Sequence, residues 1–119
     1  MLRFWRATIN TRNGLAFAIR SEQAVREELA ALALALPLAW LIGATTMRRV
    51  ELVAAVVLVL VVELLNTAIE KLSDRITLDH DPALKRIKDM GSAAIFLSLL
   101  LTGAVWLWVL VERFWPVLG

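Results

Sequence analysis

No cysteine occurs anywhere in the 119 residues. A disulfide scaffold, a zinc–thiolate centre and a thiol nucleophile are therefore excluded. There is one histidine, His80, too few for a histidine-rich metal site within one chain. Charge is also scarce. Only 20% of residues are charged and 60% are apolar, with a mean hydropathy of +0.71. Disordered chains are apolar-poor, so disorder is excluded. A soluble globule of this size lacks the volume to hide so much apolar surface. The basic start MLRFWRATINTRNG has no apolar run ending in small residues, so no cleavable signal peptide is expected. No repeat, low-complexity stretch or second domain is visible, which predicts one membrane domain over residues 1–119.

The few charges are clustered, and the gaps between them are long. Leu29 to Met47 carries no charge over 19 residues. Leu52 to Ile69 carries one, Glu63, over 18 residues, and Met90 to Val111 none over 22. A helix needs ~20 mostly apolar residues to cross the hydrocarbon core. The expected fold is an all-α membrane protein with three spans, at about 29–47, 52–69 and 90–111. An amphipathic surface helix at about 1–20 should precede them, broken near Asn13-Gly14. Ser21 is a candidate N-cap for a second helix that carries Glu22 in its first turn and runs on into span one. Pro37 is tolerable inside a membrane helix. Pro82 suits the first turn of a short helix leading into span three. Gly91, Ser92, Ala93 and Ala94 offer a patch where helices can approach closely.

Basic residues set the orientation. Arg3, Arg6, Arg12, Arg20 and Arg26 precede span one, and Lys71, Arg75, Lys85, Arg86 and Lys88 lie between spans two and three; these ten of the thirteen share one side. Arg48, Arg49 and Arg113 lie on the other. The N-terminus should be cytoplasmic and the C-terminus outside, with Trp106, Trp108 and Trp115 in an outer interfacial belt and Trp5 in an inner one. The net charge of +2 calls only for anionic membrane lipid. No aromatic-interleaved basic patch is present, so nucleic acid is not an expected partner.

Span two carries the chemistry. Glu63, Asn66, Thr67, Glu70 and Asp74 follow one another at helical offsets, and Glu70 and Asp74 fall within about 20° of Glu63. An ionisable group at membrane depth costs at least ~2.5 kcal/mol and usually marks a site. A helix–helix hydrogen bond inside an oligomer is the bland alternative for Glu63. Carboxylates facing the cytosol are hard oxygen ligands suited to Mg²⁺ carrying phosphates. A carboxylate at head-group depth is placed to take a proton from a lipid hydroxyl. Lys88-Asp89 opens span three at the same interface, either as a snorkelling lysine with a helix-start acid or as a phosphate-binding pair. Glu22 is a first-turn acid or a further metal ligand. His80, between Asp79 and Asp81, suits a solvated loop. The G-x-x-x-x-G-K-S/T, G-x-G-x-x-G, H-R-D and D-F-G patterns are all missing. Phosphoryl transfer by this chain would therefore lie outside those architectures. A small ion- or proton-conducting subunit, or a non-catalytic assembly subunit, would use the same polar face as a relay or as glue.

The run Glu63-Leu-Leu-Asn-Thr-Ala-Ile-Glu70, then Asp74-Arg75, then Lys88-Asp-Met-Gly-Ser-Ala-Ala94, resembles the signature of the small prokaryotic integral-membrane diacylglycerol kinases. The resemblance runs from Arg3 through span three. It implies a homotrimer in the bacterial inner membrane that phosphorylates diacylglycerol to phosphatidate with ATP and Mg²⁺. It also implies roles: Glu63 as catalytic base that meets the lipid, Asn66 as an active-site asparagine, Glu22 and Glu70 as metal ligands. Arg3, Asp79, His80, Asp81, Lys88 and Asp89 match nucleotide-contacting positions, and Ser92 a lipid-contacting one. A sister branch phosphorylates undecaprenol and shares the Glu63–Glu70 core. The Met90-Gly-Ser-Ala-Ala run and the Arg-rich start resemble the diacylglycerol branch.

Orientation is testable because the natural chain has no thiol. In right-side-out vesicles, a membrane-impermeant thiol reagent should label a cysteine placed at Thr46 and spare one at Thr11 or Asp81 until the membrane is opened. The reverse pattern would put the acidic stripe on the side away from ATP.

Overall fold

The computed structural model describes residues 1–118, and side chains of residues 1–115. It contains four helices: α1 (Leu2–Ser21), α2 (Gln23–Ile42), α3 (Thr46–Ile76) and α4 (Pro82–Leu118). No strand occurs among the described residues. α3 is the central element, packed along much of its length against α2 on one side and α4 on the other. α1 touches the rest mainly where it meets α2.

Among the described residues, two helices are long and apolar enough to cross a membrane: α3, and α4 over Pro82–Trp115. At 1.5 Å per residue, 31 residues of α3 reach ~46 Å and 37 of α4 ~55 Å. Both exceed a hydrocarbon core of ~30 Å, so several turns of each project beyond it. The run expected as span one is divided. α2 stops at Ile42, the chain turns over residues 43–45, and Met47 already belongs to α3. The reason is local. Thr45 adopts an extended conformation and its hydroxyl accepts the Arg48 N–H, which starts α3 six residues before the expected span. Arg49 then closes α2: its Nε donates to the Trp40 and Gly43 carbonyls, and its guanidinium stacks 3.8 Å above the Trp40 ring.

The expected break at Asn13-Gly14 does not occur, and α1 is continuous. One glycine costs a helix only ~1 kcal/mol, and a side chain at position 14 would meet open space. The break falls instead at Glu22, which is extended (φ −128°, ψ 120°) between α1 and α2. Ser21 therefore ends α1 rather than capping α2. Arg26 stabilises this corner from the next turn, donating to the Ile19 and Arg20 carbonyls at 2.8 and 3.3 Å. At the start of α4, the Asp81 carboxylate accepts the Ala83 and Leu84 N–H groups at 2.9 and 3.1 Å. Pro82 fills the first helical position, where a missing N–H costs nothing. The helix then continues without interruption into the apolar run.

Two small apolar cores hold the elements together. Ala18, Val25 and Leu60 join α1, α2 and α3, with Leu29, Leu32 and Leu64 around them. Ala39, Leu52 and Val109 join α2, α3 and α4 at the other end. Trp106 belongs to this second core rather than to an interfacial belt: it is half-buried, and its Nε1 donates to the Leu52 carbonyl at 3.1 Å. Trp108 and Trp115 remain exposed. Thr102 Oγ1 reaches the Ala55 carbonyl across the same interface. Arg48 ties the end of this interface, pairing with Glu51 and, at 2.9 Å, with Glu112 of α4. Elsewhere α4 presents large apolar side chains outward, among them Phe96, Leu97, Leu100 and Leu107. Such a surface suits lipid or other apolar helices.

Polar contacts between membrane helices average ~0.6 kcal/mol and reach ~1.7 kcal/mol. Trp106→Phe and Thr102→Val should each lower resistance to unfolding in mixed micelles by about that average, and the double variant by about the sum. Unchanged unfolding midpoints for both would mean that the α3–α4 interface rests on packing alone.

Candidate active site

The apolar part of α3 ends where its polar face begins. Glu63 is half-buried, one turn below Asn66 and Thr67, which are both buried, and two turns below the half-buried Glu70. Glu28, Glu70, Glu22 and Glu27 all lie near enough to act on Glu63 electrostatically. The stripe expected from helical spacing thus exists, and α2 adds to it. Glu28 was not among the residues singled out by sequence. It lies at the edge of an apolar run just as Glu63 does, and that signal would have found it.

Asn66 is locked between α3 and α4. Its Nδ2 donates to Glu70 Oε1 at 3.3 Å, while Oδ1 is buried without a partner and faces Gly91. Any Cβ at position 91 would collide with that oxygen. Gly91 is therefore required for close approach of two helices, and the small-residue patch acts through this one member. Ser92, Ala93 and Ala94 are exposed.

The expected partners do not all pair as their spacing suggests. Lys88 Nζ meets Asp74 Oδ1 across the two helices at 2.8 Å, whereas Asp89 pairs with Lys85 on its own helix. Glu22 Oε1 is held at 2.8 Å by Lys71, whose ammonium also lies 5.0 Å from the Phe17 ring centre. Neither Lys71 nor Phe17 stands out in the sequence as a site residue, because their meeting depends on the corner at Glu22. Asp81, in the loop, caps α4 with its carboxylate. Arg3 is exposed near the start of α1 and lines neither of the two cavities described next.

Those cavities differ in chemistry. A polar cleft of about 250 Å³ is lined by Thr77, Asp79, His80, Asp81, Lys85 and Lys88, among others. An apolar groove of about 520 Å³ runs between α1 and α3, walled by residues including Leu15, Phe17, Ala18, Leu64, Thr67 and Lys71. α3 walls the groove, with Thr67 belonging to the polar stripe as well, while the cleft is lined by the loop that follows α3 and by the first turns of α4.

Among the described residues, no three carboxylates or histidines come together as a closed metal cage. Mg²⁺ keeps several waters and binds through one or two carboxylates together with substrate phosphates. The donors present are hard oxygens, and Glu70 and Glu22 are both half-buried at the open side of the stripe.

Comparison with known proteins gives a consistent picture. Residues 10–110 match the family described as prokaryotic diacylglycerol kinase. Curated relatives named diacylglycerol kinase include one from Haemophilus influenzae, 37% identical over 93 residues, covering 78% of this chain and 79% of its own. One from Pseudomonas aeruginosa is 38% identical over 98 residues, covering 82% and 80%. One from Escherichia coli is 38% identical over 101 residues, covering 85% and 83%.

Gly91→Ala should destabilise the protein by about 1–3 kcal/mol, the usual cost of overpacking, read as a lower unfolding midpoint in detergent. Asn66→Ser in the same chain should recover part of the loss by removing the colliding amide. Full stability of Gly91→Ala alone would show that the helices have room to spare.

Proposed function

The chain belongs to the prokaryotic diacylglycerol kinase family, and from that premise we propose that it transfers the γ-phosphoryl group of ATP to diacylglycerol, giving phosphatidate at the cytoplasmic face of a bacterial inner membrane. The carrying observation is the position of the α3 stripe. Glu63 stands where an apolar segment gives way to acidic and amide groups, within one helix that also walls an apolar groove and ends at the residue before the loop wall of the polar cleft. A lipid acceptor and a soluble donor need that adjacency.

Phosphoryl transfer asks a protein for positioning and charge stabilisation more than for covalent help. In the proposed mechanism Glu63 accepts the lipid hydroxyl proton as that oxygen bonds to the γ-phosphorus in line, and the bond to the ADP leaving group breaks. Asn66 positions Glu70 through its amide nitrogen, while its buried Oδ1 packs against Gly91. Glu70 and Glu22 are the residues that would hold Mg²⁺ with ATP. When bound, that ion offsets phosphate charge. Lys88, now on Asp74, supplies a cation at the cleft for the phosphates, with Asp89 beside it. Asp79, His80 and Asp81 form the cleft's loop wall. Arg3 and Ser92 are proposed to contact nucleotide and lipid respectively from surfaces exposed in a single chain. α2 completes a three-span protomer in this reading, because its 20 residues reach ~30 Å, about the thickness of the hydrocarbon core. The outward apolar surface of α4 supports assembly as a homotrimer among membrane lipids. The Met90-Gly-Ser-Ala-Ala run favours diacylglycerol over undecaprenol.

Glu63→Gln should cut turnover by on the order of 10²–10⁴ while leaving a folded, membrane-inserted protein, measured with labelled ATP against a panel of diacylglycerol, monoacylglycerol and undecaprenol. Turnover near wild type would remove Glu63 from the role of base. Glu70→Gln should raise the Mg²⁺ concentration needed for half activity, and an unchanged Mg²⁺ dependence would return Glu70 to a polar helix face.

A further inference from the structure

Glu22 occupies the N-cap position of α2, where a carboxylate ordinarily accepts a backbone N–H of the first turn. It makes no such bond. Its oxygen is held instead by Lys71 at 2.8 Å, and Lys71 is itself steadied over the Phe17 ring. Both side chains are roughly one-third exposed, at 37% and 31%. The pair is therefore open to exchange with solvent ions, and Lys71 sits immediately after Glu70 in the chain.

We propose that Lys71 is a positioning residue that competes with the divalent cation for Glu22. Its ammonium occupies the Glu22 carboxylate in the absence of metal and gives it up when metal binds. Lys71 thereby sets the cation concentration at which the site assembles. The inference rests on the reading of Glu22 as a metal ligand. One carboxylate oxygen cannot serve an ammonium and a divalent cation equally, so the fraction of molecules with Glu22 free scales the apparent metal affinity. A partly exposed ion pair is worth ~0.2–1 kcal/mol. Removing the lysine charge should therefore tighten metal binding by up to about fivefold.

The full-length protein in detergent, with a non-hydrolysable ATP analogue and no lipid, is titrated with Mn²⁺, and free Mn²⁺ is followed by electron paramagnetic resonance. Lys71→Met keeps the apolar stem over Phe17 and should tighten Mn²⁺ binding about two- to fivefold. Lys71→Arg keeps the charge and should restore wild-type binding. In a Glu22→Gln background, where binding is weaker, Lys71→Met should have no effect. If Glu22→Gln leaves Mn²⁺ affinity unchanged, the ligand role of Glu22 falls and the competition falls with it. If Glu22→Gln weakens binding but Lys71→Met does not tighten it, the competition alone is overturned. Tightening by Lys71→Met that persists without Glu22 would show a general charge effect and would also overturn it.

Discussion

A carboxylate has no water to solvate it in hydrocarbon, and a peptide helix has no reason to leave hydrocarbon until its side chains require it. α3 is organised by that conflict. From Leu52 to Val62 it presents only apolar groups, and from Glu63 onward acids and amides appear on one face. Several polar groups on or beside that face find partners, on the same helix or on another element. Asn66 finds Glu70, Asp74 finds Lys88 of α4, and Glu22 at the α1–α2 corner finds Lys71. Much of the half of the molecule around Glu63–Asp74 is arranged around supplying those partners.

The opposite half solves a simpler problem. Arg49 closes α2 through backbone carbonyls, while Arg48 joins Glu51 and Glu112. These basic residues are spent on helix ends and helix pairing. They leave no carboxylate cluster comparable to the one around Glu63. The two halves are linked by apolar packing of α3 against both neighbours.

Much of this was legible in the sequence because helical periodicity is strictly local. The stripe from Glu63 to Asp74 needs only the pitch of one helix, and Pro82 after Asp81 needs only the chemistry of a first turn. What could not be read depends on geometry between elements. Asn13-Gly14 reads as a break because glycine is a common breaker, yet α1 runs through it, and the second helix expected from Ser21 starts one residue later, at a corner that Arg26 stabilises. The Lys71–Glu22 pair spans 49 positions and exists only because of that corner. Trp106 looks like an interfacial anchor by position, yet its N–H is satisfied by a carbonyl on α3, a fact of helix rotation that no local pattern encodes.

The contact between Gly91 and Asn66 also has a historical side. Position 91 can gain even one carbon only after position 66 has become smaller, and position 66 is bound to Glu70 by its amide. A change at either site is thus harmful in one order and tolerable in the other. Sequences related to this one by single steps are connected through a narrow corridor there, and the pair should drift together or not at all.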